Sequence, residues 1–453
     1  MKPSATFLLV LLLSPITGLC RAENSVVPVP AIPGVAASTL YQVRVNGIEV
    51  PVNDESRYDF QTAAFCLSGT ATVEVRIPEG AKTPVIRPLR YQIVPTVKDR
   101  TVTFSIDKPL KLVVDIPGQP PLALLATPLE TQVPQPNDPH VLYFGPGVHE
   151  AGIIHPESNQ TIYLAPGALV KGRIEASGVE NVTVKGRGVL DGSAFSERKA
   201  KTPGILFSRC SNIKVEGIGY RAGSWWQTLY LLTNHVEVSH MNLFGNVVNT
   251  DGIDLDGVQD LTARDCFIRC ADDGFGWHAV DGKTNGEPIT KNCLAEDCVI
   301  WNTSYGNGLR VGASMETQLF QDITFRNIDV LRHANAAICS DHSDWAWCKN
   351  IRFENFTDET PGKTIQMIIA KTRYSNDNGF RDERGHFEGL HFVHVTSPGG
   401  AIELRGFDAG HLINDVTFEG CVIGNKPIQS PGDITVNEFV TNISFPNGHL
   451  IRD

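Results

Sequence analysis

The sequence predicts an all-β chain in which a β-sandwich leads into a parallel β-helix. Three observations predict it. A short alternating strand after an Asn/Asp turn recurs along the later part of the chain. Its apolar anchors Ile213, Val236 and Leu261 lie 23 and 25 residues apart, and Ile323 and Ile351 lie 28 apart. A period of that size with several short strands per repeat marks a solenoid that stacks parallel strands. Helical periodicity is nearly absent, which disfavours an α-solenoid. The composition, with 41 Gly, 28 Pro and 4 Met in 453 residues, is that of a turn-rich chain.

Residues 1–22 read as a signal peptide. Lys2 is a short positive region, residues 7–13 are apolar, and Ala22 ends a cleavage site. The apolar run is too short to span a bilayer, and no later run reaches the roughly 18 residues a span needs. A secreted or periplasmic protein without membrane insertion is expected. Formal charge is 39 − 50 = −11, and 37 − 50 = −13 once Lys2 and Arg21 are removed. A nucleic-acid groove needs clustered Lys and Arg, so no nucleic-acid partner is expected. Nine cysteines follow Cys20. An odd number leaves at least one thiol unpaired, and Cys339 with Cys348 is spaced to close a small loop. No CxxC pair exists, so no zinc site is expected.

Residues 23–137 alternate apolar and polar side chains in short runs, at 41–45, 71–77, 100–106 and 110–116, between Pro- and Gly-rich turns. That spacing reads as an antiparallel β-sandwich. No catalytic residue types gather there, so a packing or binding module is expected.

Residues 138–453 carry the repeat. Anchors of one kind stand at Val182, Ile213, Val236, Leu261, Ile323, Ile351, Val416 and Ile443. In the second strand of the unit, Cys266, Cys298, Ile328, Phe356 and Cys421 share a register, which predicts inward ladders with buried cysteines. Five Asn-x-Ser/Thr matches occur, at Asn159, Asn181, Asn302, Asn355 and Asn442. Asn181 and Asn442 fall at strand starts and read as turn chemistry.

One region gathers acids. Asn249-Thr-Asp-Gly is followed, 21 residues after Asp251, by the pair Asp272-Asp273, and then by Gly306-Asn-Gly308 and Arg310. One coil apart, the two clusters bring three carboxylates to one patch. Neighbouring carboxylates cannot all ionise easily, so one keeps its proton while another is charged. That split serves glycoside hydrolysis. A lone Asp-Gly or Asp-Asp is ordinary turn chemistry; two clusters one coil apart make a candidate site. A Ca²⁺ site of Asp ligands is the rival chemistry. A lyase would need a basic residue inside the trio, and there is none.

These motifs resemble the NTD, DD and GHG signatures of the polygalacturonases. Tyr143-Phe-Gly-Pro-Gly-Val-His149, Tyr163-Leu-Ala-Pro-Gly-Ala-Leu-Val-Lys171 and the leading sandwich resemble more closely the dextranase–isopullulanase family of the same superfamily. The resemblance covers essentially the whole mature chain. It implies a right-handed parallel β-helix and an inverting glycoside hydrolase without metal or cofactor. Asp272 would be the general acid, with Asp251 and Asp273 holding and activating the water. Inverting enzymes keep acid and base about 6.5–9.5 Å apart.

The departures bear on the substrate. Asn307 replaces the histidine of GHG, and His278 is its possible stand-in. The Arg-Ile-Lys grip on a uronate carboxylate is missing; residues 336–344 offer Asp341 and His342 instead. A neutral glycan is therefore expected over a galacturonan. Arg310, Arg332, Lys371 and Arg373 are the residues that would make the cleft basic. The substrate-binding candidates are Asn249, Trp277, His278, Asn307, Arg310, Asp341 and His342. Trp301, Trp345 and Trp347 flank the acids, and Trp225 and Trp226 lie one coil earlier, as stacking faces or core fillers. The polar segment 371–386 is placed to wall one end of the cleft. Two other readings stay open: a polysaccharide lyase, and a carbohydrate-binding solenoid without catalysis. Oligomeric state has no signal in the sequence.

Overall fold

The computed structural model describes residues 24–375 and 379–450, so the signal peptide expected at residues 1–22 lies outside the described residues. The leading domain is two facing sheets of six and five strands. Alternation along Gln42–Val45, Ala71–Arg76 and Thr101–Ile106 turns Val43, Val45, Val73, Val75, Val102 and Phe104 into the space between them. One pairing departs from the antiparallel expectation. Leu122–Thr127 lies parallel to Phe60–Ser68, because the hairpin it forms with Lys111–Asp115 sets its second strand beside that earlier one.

From Val141 the chain winds into a right-handed parallel β-helix. Each central coil gives three short strands. The first strands stack into one parallel sheet that contains every predicted anchor segment. It also contains two coils the pattern missed, Thr290–Glu296 and His386–Val393, where Cys293 and Leu390 take the anchor position. The second and third strands form the other sheet of the helix.

Stacked coils put like on like. Phe325, Phe353, Phe392, Phe418 and Phe445 form an inward ladder with ring spacings of 5.6, 5.2, 5.0 and 5.6 Å, close to the ~4.8 Å between neighbouring strands. Cys266, Cys298, Ile328, Phe356 and Cys421 are all buried in one column, as predicted. The nine described cysteines are all free thiols. The expected Cys339–Cys348 loop is not formed: Cys348 points into the core, while Cys339 pairs in register with Arg310 on the outer column.

The turns repeat too. The residue just before the apolar anchor of the first strand has positive φ at Asn181, Asn212, His235, Asp260, Asn292, Asp322, Asn350, Asp415 and Asn442. Asn and Asp tolerate that left-handed conformation better than other side chains. The Asn181 and Asn442 amides donate to Asn159 and Asp415 on the preceding coil, so both residues serve the turn.

The sandwich docks on the second strands of the helix. Tyr58 and Phe60 pack against Phe244, Phe267, Trp301 and Leu331, and Arg221–Glu55 at 2.7 Å and Arg90–Asp329 at 2.8 Å cross the seam. Trp301 meets Phe60 edge-on at 5.0 Å, so it is an interdomain contact and not a cleft face.

Candidate active site

The acids sit at the turn between the second and third strands of consecutive coils. Gly252 N–H donates to the Asp273 carbonyl at 2.9 Å and Gly274 N–H to the Asn307 carbonyl at 3.1 Å. The column therefore reads Asp251, Asp273, Asn307. Asp251 stacks on Asp273, and Asp272 stands one position before it in the turn. The glycines that follow, Gly252, Gly274 and Gly308, form the adjoining column. A Cβ on any of them would lie 2.3 to 2.6 Å from a carbonyl oxygen of the next coil. The Asp-Gly and Asn-Gly pairs thus join a functional side chain to a backbone approach that only glycine permits.

One oxygen each of Asp251, Asp272 and Asp273 lies within 4.8 Å of the others. This is closer than the spacing expected of an inverting acid–base pair. Asp251 and Asp273 are buried and Asp272 is half-buried, so it is the member best placed to meet an incoming oxygen. Asn249 N–H donates to Asp272 Oδ2 at 3.0 Å, and Arg198 holds Asn249 Oδ1 at 2.7 Å. Asn307 donates its backbone N–H and its side-chain amide to Asp273 Oδ1, each at 2.7 Å. Arg310 Nη1 lies 3.6 Å from Asp273 Oδ2.

Burial raises all three carboxyls above the usual carboxylate range. Asp251 rises furthest, with the charges of Asp272 and Asp273 adding to its burial. Asp273 is pushed up to about 6 by burial, against the pull of Arg310 and Asn307. Asp272 is raised by burial and restrained by the Asn249 N–H and Arg310. The site can hold protons and charges side by side near neutral pH. Asp251, Asp254 and His278 form a second group within 4.8 Å, and either group is spaced to hold a cation.

The other candidates divide. Asn249 and Arg310 lie at the acids. Asp341 reaches the site only through Arg310, which it grips with bonds of 2.8 and 2.6 Å. Asn307 is buried and committed to Asp273, so it orients an acid where a substrate contact was expected. His278 lies beside the acids with Trp226 stacked on its ring at 5.5 Å. Trp277 is a correction: strand alternation turns it inward, where it is 0% exposed and packs on Phe275 and Phe325. His342 is another. It is fully buried, donates to the Ala346 carbonyl at 2.8 Å, packs on Phe387, and is pushed down to about 4 by burial. Neither side chain can touch a sugar from the core. Trp345 is buried against Phe380 and Arg381, and Trp347 starts a strand of the other sheet under Lys349. Trp225 and Trp226 are the pair left half-open near the acids.

Segment 371–386 touches the site near its start, where the Tyr374 ring lies against Arg310 at 5.3 Å. Of the basic residues expected to serve an acidic sugar, Lys371 pairs with Asp382, Arg373 lies over Tyr374, and Arg332 lies over Trp301. Sequence reasoning missed three residues. Arg198 is brought in by the turn two coils before the first acidic cluster. Exposed Tyr305 stands beside Gly306, where a Cβ would press on Asp272. Asp254, inside the first acidic motif, is wholly buried; its place at the third position after Asp251 was the available signal.

No protein-family profile matches the chain, and no curated protein sequence matches it. Solved structures do. The chain is similar to Dex49A from Penicillium minioluteum, with a TM-score of 0.68 at 14% identity over 92% of this chain and 96% of that one. It is similar to a hyperthermoactive exopolygalacturonase from Thermotoga maritima, with a TM-score of 0.55 at 19% identity over 68% and 84% of the two chains. The fold is thus shared with structures of the kind the motifs resemble.

Proposed function

We propose that this chain is an exported glycoside hydrolase that cleaves a poly- or oligosaccharide by a single displacement with inversion. The observation that carries the proposal is the convergence of Asp251, Asp272 and Asp273 within 4.8 Å at one turn. Asp272, the half-open acid, gives its proton to the leaving oxygen. Asp251 and Asp273 hold a water and take its proton as it attacks the anomeric carbon. The close spacing taken alone suits a double displacement, for which about 5–5.5 Å is usual. Inversion is favoured because Asp273 is tied down by Asn307 and Arg310, and Asp251 is buried beneath it. Neither is free to swing onto a sugar carbon, whereas both can bind one water. Charge balance in the trio is assigned to protons, and no step runs through a metal.

A neutral glycan is the proposed substrate. Arg310 spends its charge on Asp341 and Asp273, and no Arg-Ile-Lys grip is present. The deciding experiment measures reducing ends released from a panel of neutral and acidic polysaccharides by the wild-type chain and by Asp272→Asn. Release from a neutral polymer, abolished in the variant, is expected. Release from polygalacturonate alone overturns the substrate. An ultraviolet-absorbing unsaturated product overturns the hydrolase reading in favour of a lyase. Glycan binding without release favours the binding solenoid.

A further inference from the structure

Five Asn-x-Ser/Thr motifs lie in the β-helix, and the fold treats their amides differently. Asn302 is 0% exposed, and its side-chain nitrogen donates to the carbonyls of Asp272 and Tyr305. Asn181, Asn355 and Asn442 stand on exposed turns, but each belongs to a side-chain ladder. Asn181 Nδ2 donates to Asn159 Oδ1 at 2.9 Å, Asn355 Nδ2 to Asn327 Oδ1 at 3.2 Å, and Asn442 Nδ2 to Asp415. In each pair the donor turns towards the preceding coil. The nitrogen that would carry a sugar is thus engaged against a neighbour only about 4.8 Å away along the stack.

Asn159 is where its ladder begins. Its Oδ1 accepts from Asn181, whose own Oδ1 accepts from Asn212 at 3.0 Å. The strand register Val141–Thr161, carried back two residues, sets Pro139 beside Asn159 on the preceding coil. A proline ring accepts no hydrogen bond. Asn159 Nδ2 accordingly has no partner among the described residues, and the bond from Asn181 leaves that nitrogen on the side away from the following coil. Asn159 is exposed, with φ of 66°, on the turn before the strand Thr161–Leu164. Of the five motifs, it alone combines an exposed turn with an uncommitted amide nitrogen.

We propose that Asn159 is the N-glycan acceptor of the exported chain, taking an oligosaccharide from a polyprenyl-pyrophosphate-linked donor. In the transfer Asn159 Nδ2 forms a bond to the anomeric carbon, and the bond from that carbon to the pyrophosphate oxygen breaks. The amide gives up one proton and the lipid pyrophosphate leaves. Thr161 supplies the hydroxyl of the motif. The proposal rests on export and not on the hydrolase reading. Asn159 stands at the turn into a first strand, whereas the acids stand between second and third strands. Three coils, or about 14 Å, also separate it from the coil of Asp251. A glycan there leaves the acids open.

The test secretes residues 23–453 from a yeast host behind that host's own leader, so that transit does not depend on residues 1–22. Peptide N-glycosidase in heavy-oxygen water should mark Asn159 alone in the peptide mass spectrum and remove a single band shift on a gel. Asn159→Gln and Thr161→Ala should each lose that shift completely, and Asn355→Gln should keep it. Thr161→Ala retains the Asn159–Asn181 bond, and the map of the wild-type chain decides the site even where a variant is not secreted. An unmarked Asn159 in the secreted chain overturns the proposal. A mark at Asn181, Asn355 or Asn442 overturns the ladder as the feature that selects the acceptor. A second arm keeps residues 1–22 in place of the host leader. Chain held inside the cells in that arm alone overturns export and not the acceptor site.

Discussion

Asn307 gives both of its N–H groups, backbone and side chain, to a single oxygen, Oδ1 of Asp273, at 2.7 Å each. The position stands one coil beyond the acid it serves, in the column Asp251, Asp273, Asn307. A histidine there would have been read as a group facing the sugar. The amide instead holds a buried carboxylate in its charged form, opposing the burial that lifts Asp273 to about 6. Coil stacking makes such service cheap, because a residue in one coil lies within bonding reach of the same position in the next.

Asn307→Ala removes one of these two bonds and leaves the backbone one. A hydrogen bond to a charged group contributes about 1.5–3 kcal/mol, or about one to two pH units. The bond favours ionised Asp273, so its loss raises that pKa further. The acidic limb of kcat/KM, set by a base that must be ionised, should move upward by about one unit. Activity at alkaline pH should recover towards wild type. A profile whose limb stays in place would show that Asp273 does not act as the base.

The repeat and the acid clusters were legible because a solenoid writes its geometry into sequence period. Equal register means vertical neighbourhood, so Asp251 and Asp273 could be paired without coordinates. Period alone could not say which way a side chain points at a turn. Trp277 was placed at the sugar because it follows the acid pair, yet it stands on a strand where alternation sends it inward, between Phe275 and Phe325. His342 was misplaced for the same reason. Asp254 was passed over because a single Asp in an alternating strand looks like a wetted face, and only the gap at Gly276 shows that it is covered. Arg198 comes from a turn outside the repeat pattern. The coils Thr290–Glu296 and His386–Val393 were lost because Cys293 is an atypical anchor and Gly389 takes the usual Asn position.

The two tryptophans beside the acids should separate by substitution. Trp226 is half-open and stacks on His278 at 5.5 Å, so Trp226→Ala should raise KM about tenfold with a smaller change in kcat. Trp277→Ala should instead lose roughly 3–5 kcal/mol of stability, the range for a large aromatic removed from a core. Initial rates across substrate concentration, with melting curves on both variants, check the pair. An unchanged KM in Trp226→Ala would remove that ring from the substrate path.

Stability should fall as pH rises, with the sign set by the buried acids. Asp273 has its folded pKa raised to about 6, against roughly 3.9 unfolded. A group raised on folding contributes stability that is fully present below about pH 4 and lost as pH climbs through the folded value. For Asp273 that loss is on the order of 2–3 kcal/mol, and Asp251, raised further, adds to it. Asp273→Asn and Asp251→Asn should therefore melt several degrees above wild type at pH 8, with the gain shrinking towards pH 4. Equal gains at both pH values would show that the carboxyls are not charged against their burial.

The three acids should behave as one machine. Asp272→Asn keeps the shape and the bond from Asn249 but removes the transferable proton, and general acid catalysis typically contributes 10²–10⁴. A fall in kcat of about 10²-fold or more is expected, with binding largely kept. Asp251→Asn and Asp273→Asn should also fall steeply, since each removes one of the two groups that hold the water. The effects should not add, because a water with no proton donor opposite gains little from its base. Dialysis against EDTA should leave kcat unchanged, since protons balance the charge of the trio in this mechanism. NMR of early turnover should show the anomer inverted when first formed. A retained anomer would fit the 4.8 Å convergence of the carboxyls as a double displacement and would make Asp251 or Asp273 a nucleophile. Trapping with a slow-leaving fluorosugar would then identify which of the two carries the sugar, and the absence of any adduct together with an inverted product would leave the single displacement as the mechanism.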